Sequence, residues 1–197
     1  MAQGRKRQLV VGLVGQVCAG KSTVAHAFRR QGATVWDADQ AVHELYTRPD
    51  VAAQVRALFG PDVLDEQGGV DRVALGRLVF SDPAQLKRLT AEVIFPRAHA
   101  VLDAELARFR ASGGEVLLLD APTLIEAGQA GLCDQVVFVS ACFSRRQKWS
   151  QARGWKAGEL EKREACMLDE ERKRRVATAS IHNDGTLDDV EAQAAKL

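Results

Sequence analysis

The sequence predicts an α/β protein with a parallel sheet of about five strands. Short apolar runs typical of buried strands alternate with longer segments of helical pattern, and this alternation favours parallel pairing with right-handed crossovers. A glycine-rich loop directly follows the first apolar run, and aspartates follow two others. Because parallel strands place their carboxyl ends at one edge of the sheet, that edge is the expected site.

Length and composition narrow the class of protein. A chain of 197 residues is long enough for one well-buried core, so we expect one domain with insertions. Apolar residues make up 46%, charged residues 27%, and the net charge of +1 favours neither nucleic acid nor membrane. The four cysteines show no C-x-x-C or zinc spacing, which is typical of free thiols in a reducing compartment. The basic segment Met1–Arg7 precedes an apolar run too short for a signal peptide, so we expect a cytoplasmic protein.

The first apolar run, Leu9–Val14, leads into a loop of the form G-x-x-x-x-G-K-[ST]. Such a loop turns backbone N–H groups toward phosphate, and the helix after it adds the positive end of its dipole. Lys21 is expected to neutralise the outer phosphates and Ser22 to bind Mg²⁺. The residues assigned to nucleotide binding here are Gly15, Gln16, Val17, Cys18, Ala19, Gly20, Lys21, Ser22 and Thr23. Cys18 either fills space beneath the loop or faces the phosphate, and it suits the loop only at negative φ.

A helix is predicted over 22–31, ended by Gly32, and a short strand over 33–36 follows it. That strand leads to Asp37 and Asp39. If the segment is still extended, only one of these carboxylates can face the site, and the other can cap the next helix. An alternative interpretation, in which both aspartates only cap or face solvent, stays open on the residues alone.

The segment 41–110 is predicted to be almost wholly helical, with a helix end at Gly60-Pro61, a turn at Gly68-Gly69, and helix starts at Asp71 and at Asp82-Pro83. Pro96 is expected to break or kink the pattern between Leu86 and Phe109. This insertion is too long for a simple crossover, so we expect it to cover the acceptor substrate as well.

Three further strands are predicted, over 115–120, 135–140 and 180–182. The first of them ends in Asp120, which resembles a Walker B acid. An aspartate there can hold a water of the Mg²⁺ shell, because Mg²⁺ keeps most of its waters.

Between the last two strands, the stretch 145–175 contains eleven basic and six acidic residues. A helical lid that closes on polyphosphate would have such a surplus. A solvated helical face is the expected interpretation for outer positions such as Lys162 and Arg174. An RNA-binding arm is disfavoured, because Trp149 and Trp155 are the stretch's only aromatic residues.

These features favour a small-molecule kinase of the P-loop NTPase type. A guanine-binding switch would need an N-K-x-D-type motif, which the sequence lacks, and a motor would need a longer chain. The fold prediction is therefore a three-layer sandwich with a helical substrate-binding insertion and a helical lid. In such an enzyme an acid accepts the hydroxyl proton while lysine, arginine and Mg²⁺ stabilise the moving phosphoryl group.

The same residues resemble the dephospho-coenzyme A kinases over nearly the whole chain. The motifs that carry the resemblance are Gly-Leu-Val-Gly-x₄-Gly-Lys-Ser-Thr-Val-Ala at 12–25, Asp37-Ala38-Asp39 with His43, Pro122-Thr123-Leu124-Ile125-Glu126, Arg153-Gly154-Trp155 and Asn183-Asp184-Gly185. The resemblance implies transfer of the ATP γ-phosphoryl group to the ribose 3′-hydroxyl of dephospho-CoA, with Mg²⁺. It implies a core at 8–40, 112–142 and 177–197, a CoA-binding insertion at 41–111 and a lid at 143–176, all in one domain. No nucleic-acid, membrane or obligate protein partner is expected.

Residue roles follow from the same resemblance. Catalysis is assigned to Asp39 as base, with Asp37 as its neighbour, to Lys21, and to Arg153 as the lid arginine over the nucleotide. Asn183 is placed near adenine, and metal binding is assigned to Ser22 and Asp120. The substrate-binding residues are expected to be Asp37, Asp39, His43, Pro122, Leu124 and Glu126.

Some positions depart from the family pattern. The loop has Gln16, Cys18 and Ala19 where more glycine and serine are usual, Phe95 replaces a histidine before Pro96, and Met167 replaces a glutamine. Two alternatives to an active dephospho-CoA kinase therefore stand. One is a nucleotide- or CoA-binding regulator without turnover, and the other is a kinase of the same architecture acting on another nucleoside-like alcohol.

Overall fold

The computed structural model describes residues 7–197. Residues 1–6 lie outside this range. They belong to the basic segment Met1–Arg7, for which no signal peptide was predicted. The chain forms two compact units. One contains the chain up to Asp37 together with Phe109–Leu197, and the other is Ala38–Arg108.

The first unit is built on a sheet of five parallel strands within the described residues. In chain order these are β1 (Leu9–Gly15), β2 (Thr34–Asp37), β3 (Val116–Asp120), β4 (Gln135–Ser140) and β5 (Ala179–His182). Their order across the sheet is β2-β3-β1-β4-β5. The predicted fold class and the parallel pairing are therefore confirmed, and each predicted strand agrees with the observed one to within one residue.

Helices connect and cover the strands. In chain order they are α1 (Lys21–Arg30), α2 (Ala38–Leu45), α3 (Pro49–Phe59), α4 (Arg72–Ser81), α5 (Pro83–Arg88), α6 (Phe95–Ser112), α7 (Phe143–Ala152), α8 (Glu159–Ala165), α9 (Glu170–Val176) and α10 (Leu187–Ala194). Short 3₁₀ turns occur at Pro61–Val63 and Ala130–Leu132, and a π-helical stretch at Leu89–Ile94. Among the described residues, none of these helices is both long and apolar enough to cross a membrane.

The core of the first unit lies where α1 and α10 pack together against one face of the sheet. Val24, Ala27 and Phe28, the predicted apolar face of α1, are buried there. Burying one such valine or phenylalanine side chain contributes about 1.5–3 kcal/mol relative to exposure. On the other face of the sheet, α9 contacts β1 and β4. This packing fixes the end of β1 and the start of α1, between which the phosphate loop lies.

The second unit has a core of its own, which includes Leu45, Val55, Leu75 and Val93. Both predicted helix starts are confirmed, because Asp71 and Asp82 accept hydrogen bonds from the first turns of α4 and α5. The predicted turn at Gly68-Gly69 is confirmed between the 3₁₀ turn and α4. The antiparallel bridge that Leu64 forms with Val70 across this turn was not predicted.

The predicted break in the helical pattern at Pro96 is found just before it, where the π-helical stretch Leu89–Ile94 separates α5 from α6. Pro96 itself is the second residue of α6, which continues to Ser112. A proline has no N–H for the carbonyl four residues earlier, which belongs to Glu92. Gln54 Nε2 donates to that carbonyl oxygen at 3.1 Å. A side chain from α3 thus satisfies the group that the proline leaves without a partner.

Candidate active site

At two positions of the phosphate loop, neighbouring atoms leave room only for glycine. A β-carbon on Gly15, where β1 ends, would lie 2.3 Å from the carbonyl oxygen of Val139 in the neighbouring strand. Gly20 has φ 83°, and a β-carbon there would lie 2.2 Å from Nδ2 of Asn183. Both distances are far below van der Waals contact, so no larger residue fits at either position without displacing backbone or a buried amide.

The residues with predicted roles toward phosphate and Mg²⁺ lie at the start of α1. Lys21 is half-buried, and its Nζ lies 3.5 Å from the carbonyl oxygen of Gln16, across the loop. Ser22 is exposed in the first helical turn. The N–H of Ala19 donates to the carbonyl oxygen of Gln16 at 3.3 Å, which closes the turn. This hydrogen bond and the Lys21 contact both involve the Gln16 carbonyl, which lies at the centre of the loop's internal contacts.

Cys18 does not meet the condition of negative φ set by the sequence analysis. Its φ is 58°, and it is the single non-glycine residue with positive φ in residues 7–197. This left-handed conformation costs an ordinary residue about 1–2 kcal/mol. The side chain is buried, and Nη1 of Arg153 lies 3.9 Å from its sulfur. Cys18 thus contacts the predicted lid arginine.

Asn183 holds the far end of the loop. Its Nδ2 donates to the carbonyl oxygen of Ala19 at 3.0 Å, and its own N–H donates to the carbonyl of Ser140 at 2.8 Å. The residue is buried. An asparagine in this place positions the phosphate loop, whereas its contact with adenine stays a prediction.

The two acids at strand ends are neighbours in the sheet. Asp37 ends β2 and is in register with Asp120 at the end of β3, and Asp120 is also in register with Leu13 of β1. The described residues contain no group of three or more His, Cys, Asp or Glu side chains that could hold a metal ion. The assignment of Mg²⁺ to Ser22 and Asp120 stays a prediction; two protein oxygens are compatible with this ion, because it keeps most of its ligands from phosphate and water.

The turn after β3 contains three residues assigned to the substrate. Pro122 is half-buried and Glu126 is exposed, and Glu126 Oε1 accepts a hydrogen bond from the N–H of Leu168 at 3.2 Å. Leu124 is fully buried. A β-carbon on Gly12 would lie 2.4 Å from its Cδ2, so Leu124 packs directly against β1 and supports the turn.

The second unit contains Asp39 and His43, one turn apart on α2. Asp39 is exposed in the first turn of that helix. A guanidinium nitrogen of Arg72 contacts Nδ1 of His43, and the Arg72 guanidinium carbon lies 5.9 Å from the centre of the Tyr46 ring.

Phe95, which replaces a family histidine, stacks on His99 with the ring planes 1° apart and the ring centres separated by 6.3 Å. A histidine is therefore present one helical turn further along α6. Both rings belong to the second unit.

The segment predicted as the lid forms α7, α8 and α9. Much of its basic surplus is used within the protein, in ion pairs that link Arg146 to Glu164, Arg163 to Glu159, Arg172 to Asp169, Arg174 to Glu170, and Arg175 to Glu171. Lys162 is exposed, as predicted for an outer position. Arg174 differs from that prediction, because its guanidinium carbon also lies 4.3 Å from the centre of the Phe138 ring.

The sequence analysis missed the role of Arg146. This buried arginine donates from Nε to the carbonyl of Ala141 at 3.1 Å and from Nη1 to the carbonyl of Val17 at 3.4 Å. It also pairs with Glu164 of α8. Nothing in the sequence distinguishes it from the ten other basic residues of the stretch, because its partners are mostly backbone groups far along the chain.

A cleft of about 220 Å³ lies beside the loop, lined by Gln16, Arg146, Glu164, Glu170 and Lys173 among others. Lys173 is buried, and burial lowers its pKa from the ordinary value. Four carboxylates act in the opposite direction and favour its charged form; they belong to Glu126, Glu164, Glu170 and Asp169. The burial of Lys173 was not predicted from the sequence, because its neighbours are charged residues typical of a solvated helix.

Comparisons with known proteins show to which family the chain belongs. The family model described as dephospho-CoA kinase matches residues 9–189. A dephospho-CoA kinase from Mesorhizobium japonicum is 43% identical over 171 residues, which cover 86% of this chain and 84% of the relative.

Solved structures agree as well. A crystal structure from Thermus thermophilus superimposes with a TM-score of 0.81 at 35% identity, covering 97% of this chain and 96% of that one. A dephospho-CoA kinase from Campylobacter jejuni shares the fold, with a TM-score of 0.71 at 19% identity, covering 95% of this chain and 94% of that one. Given a family model that matches most of its length and a relative 43% identical, the chain belongs to the dephospho-CoA kinase family, as its motifs predicted.

Proposed function

We propose that this protein transfers the γ-phosphoryl group of ATP to the ribose 3′-hydroxyl of dephospho-CoA, giving coenzyme A. The observation that carries the proposal is the phosphate loop, held at Ala19 by Asn183 and followed by Lys21 and Ser22 at the start of α1. Membership of a kinase family implies the use of ATP. The acceptor is taken from the name that the family and its relatives carry.

The loop residues act on the nucleotide. The N–H groups of the loop and of the first turn of α1 are proposed to donate to the phosphate oxygens. Lys21 places its ammonium group across the loop from Gln16, where it neutralises charge on the outer phosphates. Ser22 and Asp120 are the residues proposed to hold Mg²⁺, which supplies a positive charge between the terminal phosphates.

Proton removal is assigned to Asp39. The acceptor hydroxyl must lose its proton as the phosphoryl group arrives, and a carboxylate within hydrogen-bonding reach accelerates such a step by about 10²–10⁴. Asp39 follows β2 by two residues, and Asp37 is its neighbour at the strand end. His43, Pro122 and Glu126 remain proposed contacts of the acceptor, with Leu124 supporting the turn.

Arg153 is assigned to the lid side of the nucleotide. Its contact with the Cys18 sulfur supports this role, because a guanidinium next to the phosphate loop needs only a small movement to reach phosphate. Lys21, Asp39 and Arg153 are thus the proposed catalytic residues. The proposed location is the cytoplasm, supported by four cysteines that are all free thiols.

The test is release of ADP measured with the purified protein and Mg·ATP. Dephospho-CoA should support turnover, whereas adenosine, shikimate and CoA itself should support little or none. Turnover with another nucleoside-like alcohol but not with dephospho-CoA would replace the proposed acceptor. Binding of ATP and dephospho-CoA without turnover would instead indicate the regulator considered above.

A further inference from the structure

Gln16 makes the most specific contact between the phosphate loop and the segment 143–176. Its Oε1 accepts a hydrogen bond from the N–H of Ala141 at 3.0 Å, just after β4. Its Nε2 donates to Oε2 of Glu170 at 2.7 Å. The amide oxygen of Gln16 is therefore bonded to the backbone next to the sheet, and its NH₂ group is bonded to Glu170, the first residue of α9.

Glu170 is held in this position from its other oxygen as well. Arg174, one turn later on α9, donates from Nε to Oε1 of Glu170 at 2.7 Å. Burial acts to raise the pKa of Glu170, but hydrogen bonds from Gln16 and Arg174 and the charges of Arg174 and Arg146 hold that pKa below its usual value. Glu170 is thus an ionised carboxylate with one oxygen committed to α9 and the other to the loop.

The main chain of Gln16 is also part of the loop's own structure. Its N–H donates to the carbonyl of Val139 at 3.1 Å, and its carbonyl oxygen accepts from Ala19 at 3.3 Å and lies 3.5 Å from Lys21 Nζ. A displacement of the Gln16 side chain by α9 would therefore also shift the Gln16 carbonyl oxygen, which lies beside Lys21 Nζ. Asn183 restrains the loop at Ala19, so the loop is held by Asn183, which directly follows β5, and by Glu170 of α9.

We infer that Gln16 is a positioning residue that latches α9 to the phosphate loop, so that nucleotide affinity depends on the Gln16–Glu170 hydrogen bond. The inference rests on the proposed function in that the latch acts on the ATP site. It predicts coupling between two residues that are 154 positions apart in the chain.

The test exchanges the two groups. Gln16→Glu places two carboxylates together, and it should raise the dissociation constant of Mg·ATP, measured by calorimetry, by about tenfold. Glu170→Gln alone can still accept from Gln16 through its amide oxygen, at the cost of the hydrogen bond from Arg174, and should change the dissociation constant by less than about threefold. In the double variant, one oxygen of the carboxylate at position 16 again accepts from the N–H of Ala141. The amide at position 170 can donate to the other oxygen of that carboxylate. Affinity should therefore return to within about threefold of the unmodified protein.

The single variants separate the latch from a plain charge effect, because the exchange leaves the net charge of the pair unchanged. If carboxylate charge alone decides affinity, Glu170→Gln removes a negative charge and should tighten Mg·ATP binding by more than about threefold, which would overturn the inference. A second cycle, with Gln16→Ala and Glu170→Ala, should show that the double variant loses little more than either single one. Additive losses in that cycle would likewise overturn it.

Glu171→Ala is the matched control. Glu171 lies in the same turn of α9 and makes the same kind of pair, with Arg175 four residues later at 2.5 Å, but it does not contact the loop. Its substitution should leave affinity for Mg·ATP unchanged. Thermal unfolding of every variant distinguishes a lost latch from a lost fold.

Failure of the proposed function and failure of the latch are distinguishable. Calorimetry requires no turnover, so the coupling can be observed even if dephospho-CoA is not the acceptor. In the steady state the latch should appear in KM for ATP, with kcat changed by less than about threefold. A loss in kcat alone, with unchanged affinity for Mg·ATP, would mean that Gln16 and Glu170 do not position the nucleotide site.

Discussion

The side-chain amide of Asn183 lies 2.2 Å from the position that a β-carbon of Gly20 would occupy, and it donates to the carbonyl of Ala19. Gly20→Ala should therefore cost more than its positive φ alone, which is worth about 1–2 kcal/mol. Gly32→Ala is the control, because Gly32 has φ 94° with nothing within 4 Å of the added carbon. Chemical denaturation should show a clearly larger loss of stability for Gly20→Ala, together with loss of ATP binding. Equal losses would mean that Asn183 moves away at no cost.

A second prediction concerns Cys18, whose φ of 58° favours glycine. Cys18→Gly should keep or slightly raise the free energy of unfolding, because relief of strain offsets the greater freedom of the unfolded chain. Cys18→Val should lower it by about 1–3 kcal/mol, since a β-branched residue is poorly accommodated at positive φ. Comparison of the two denaturation curves tests this. A valine variant as stable as the glycine variant would show that the loop can adopt a second path.

Asp39→Asn should retain nucleotide binding and lose turnover by about 10² or more, because a positioned base contributes about that much. Asp37→Asn is the paired measurement, with kcat determined for both variants at saturating substrates. The assignment of the base is reversed if Asp37→Asn abolishes turnover and Asp39→Asn leaves it near normal.

Arg153→Ala should lower kcat/KM for ATP by about 10-fold or more, because a guanidinium beside the phosphate loop makes strong charge-assisted hydrogen bonds. Lys162→Ala should have little effect, since Lys162 is exposed on α8. Similar losses from both would indicate a diffuse positive surface instead of a specific contact. Arg153→Lys should recover only part of the loss, because lysine lacks the planar fork of donors.

Cys133 gives a prediction of pH dependence. Burial, with the adjacent charge of Asp134, raises the pKa of its thiol from the ordinary 9.0 to about 11. The unfolded thiol therefore ionises first as pH rises, so the stability that this group contributes is present below about pH 9 and is lost as pH approaches 11. Cys133→Ala should abolish this part of the decline in denaturation experiments between those pH values. At pH 8 a thiol reagent should modify the exposed Cys142 and Cys166 well before Cys133.

The sequence predicted those parts of the molecule whose causes are local. The first strand, the phosphate loop and α1 follow one another within about twenty residues, and their glycines and apolar spacing are visible without the fold. The left-handed Cys18 could not be predicted, because nothing in its neighbours demands positive φ. Arg146 and the Gln16–Glu170 hydrogen bond depend on pairings between residues far apart in the chain. The Gly68-Gly69 turn was visible in the sequence, whereas the Leu64–Val70 bridge across it was not, because helical patterns lie on both sides.

The strand order has a consequence for how the chain folds. The central strand β1 pairs with β3 and β4, never with β2, and β2 and β3 are separated by the whole of Ala38–Arg108. Closing so long a loop costs entropy before any sheet contact repays it, which slows folding. The intervening unit has its own apolar core, and its early collapse would bring the ends of β2 and β3 closer together. We expect substitutions in that core, such as Val55→Ala, to slow refolding of the sheet, although they lie outside it.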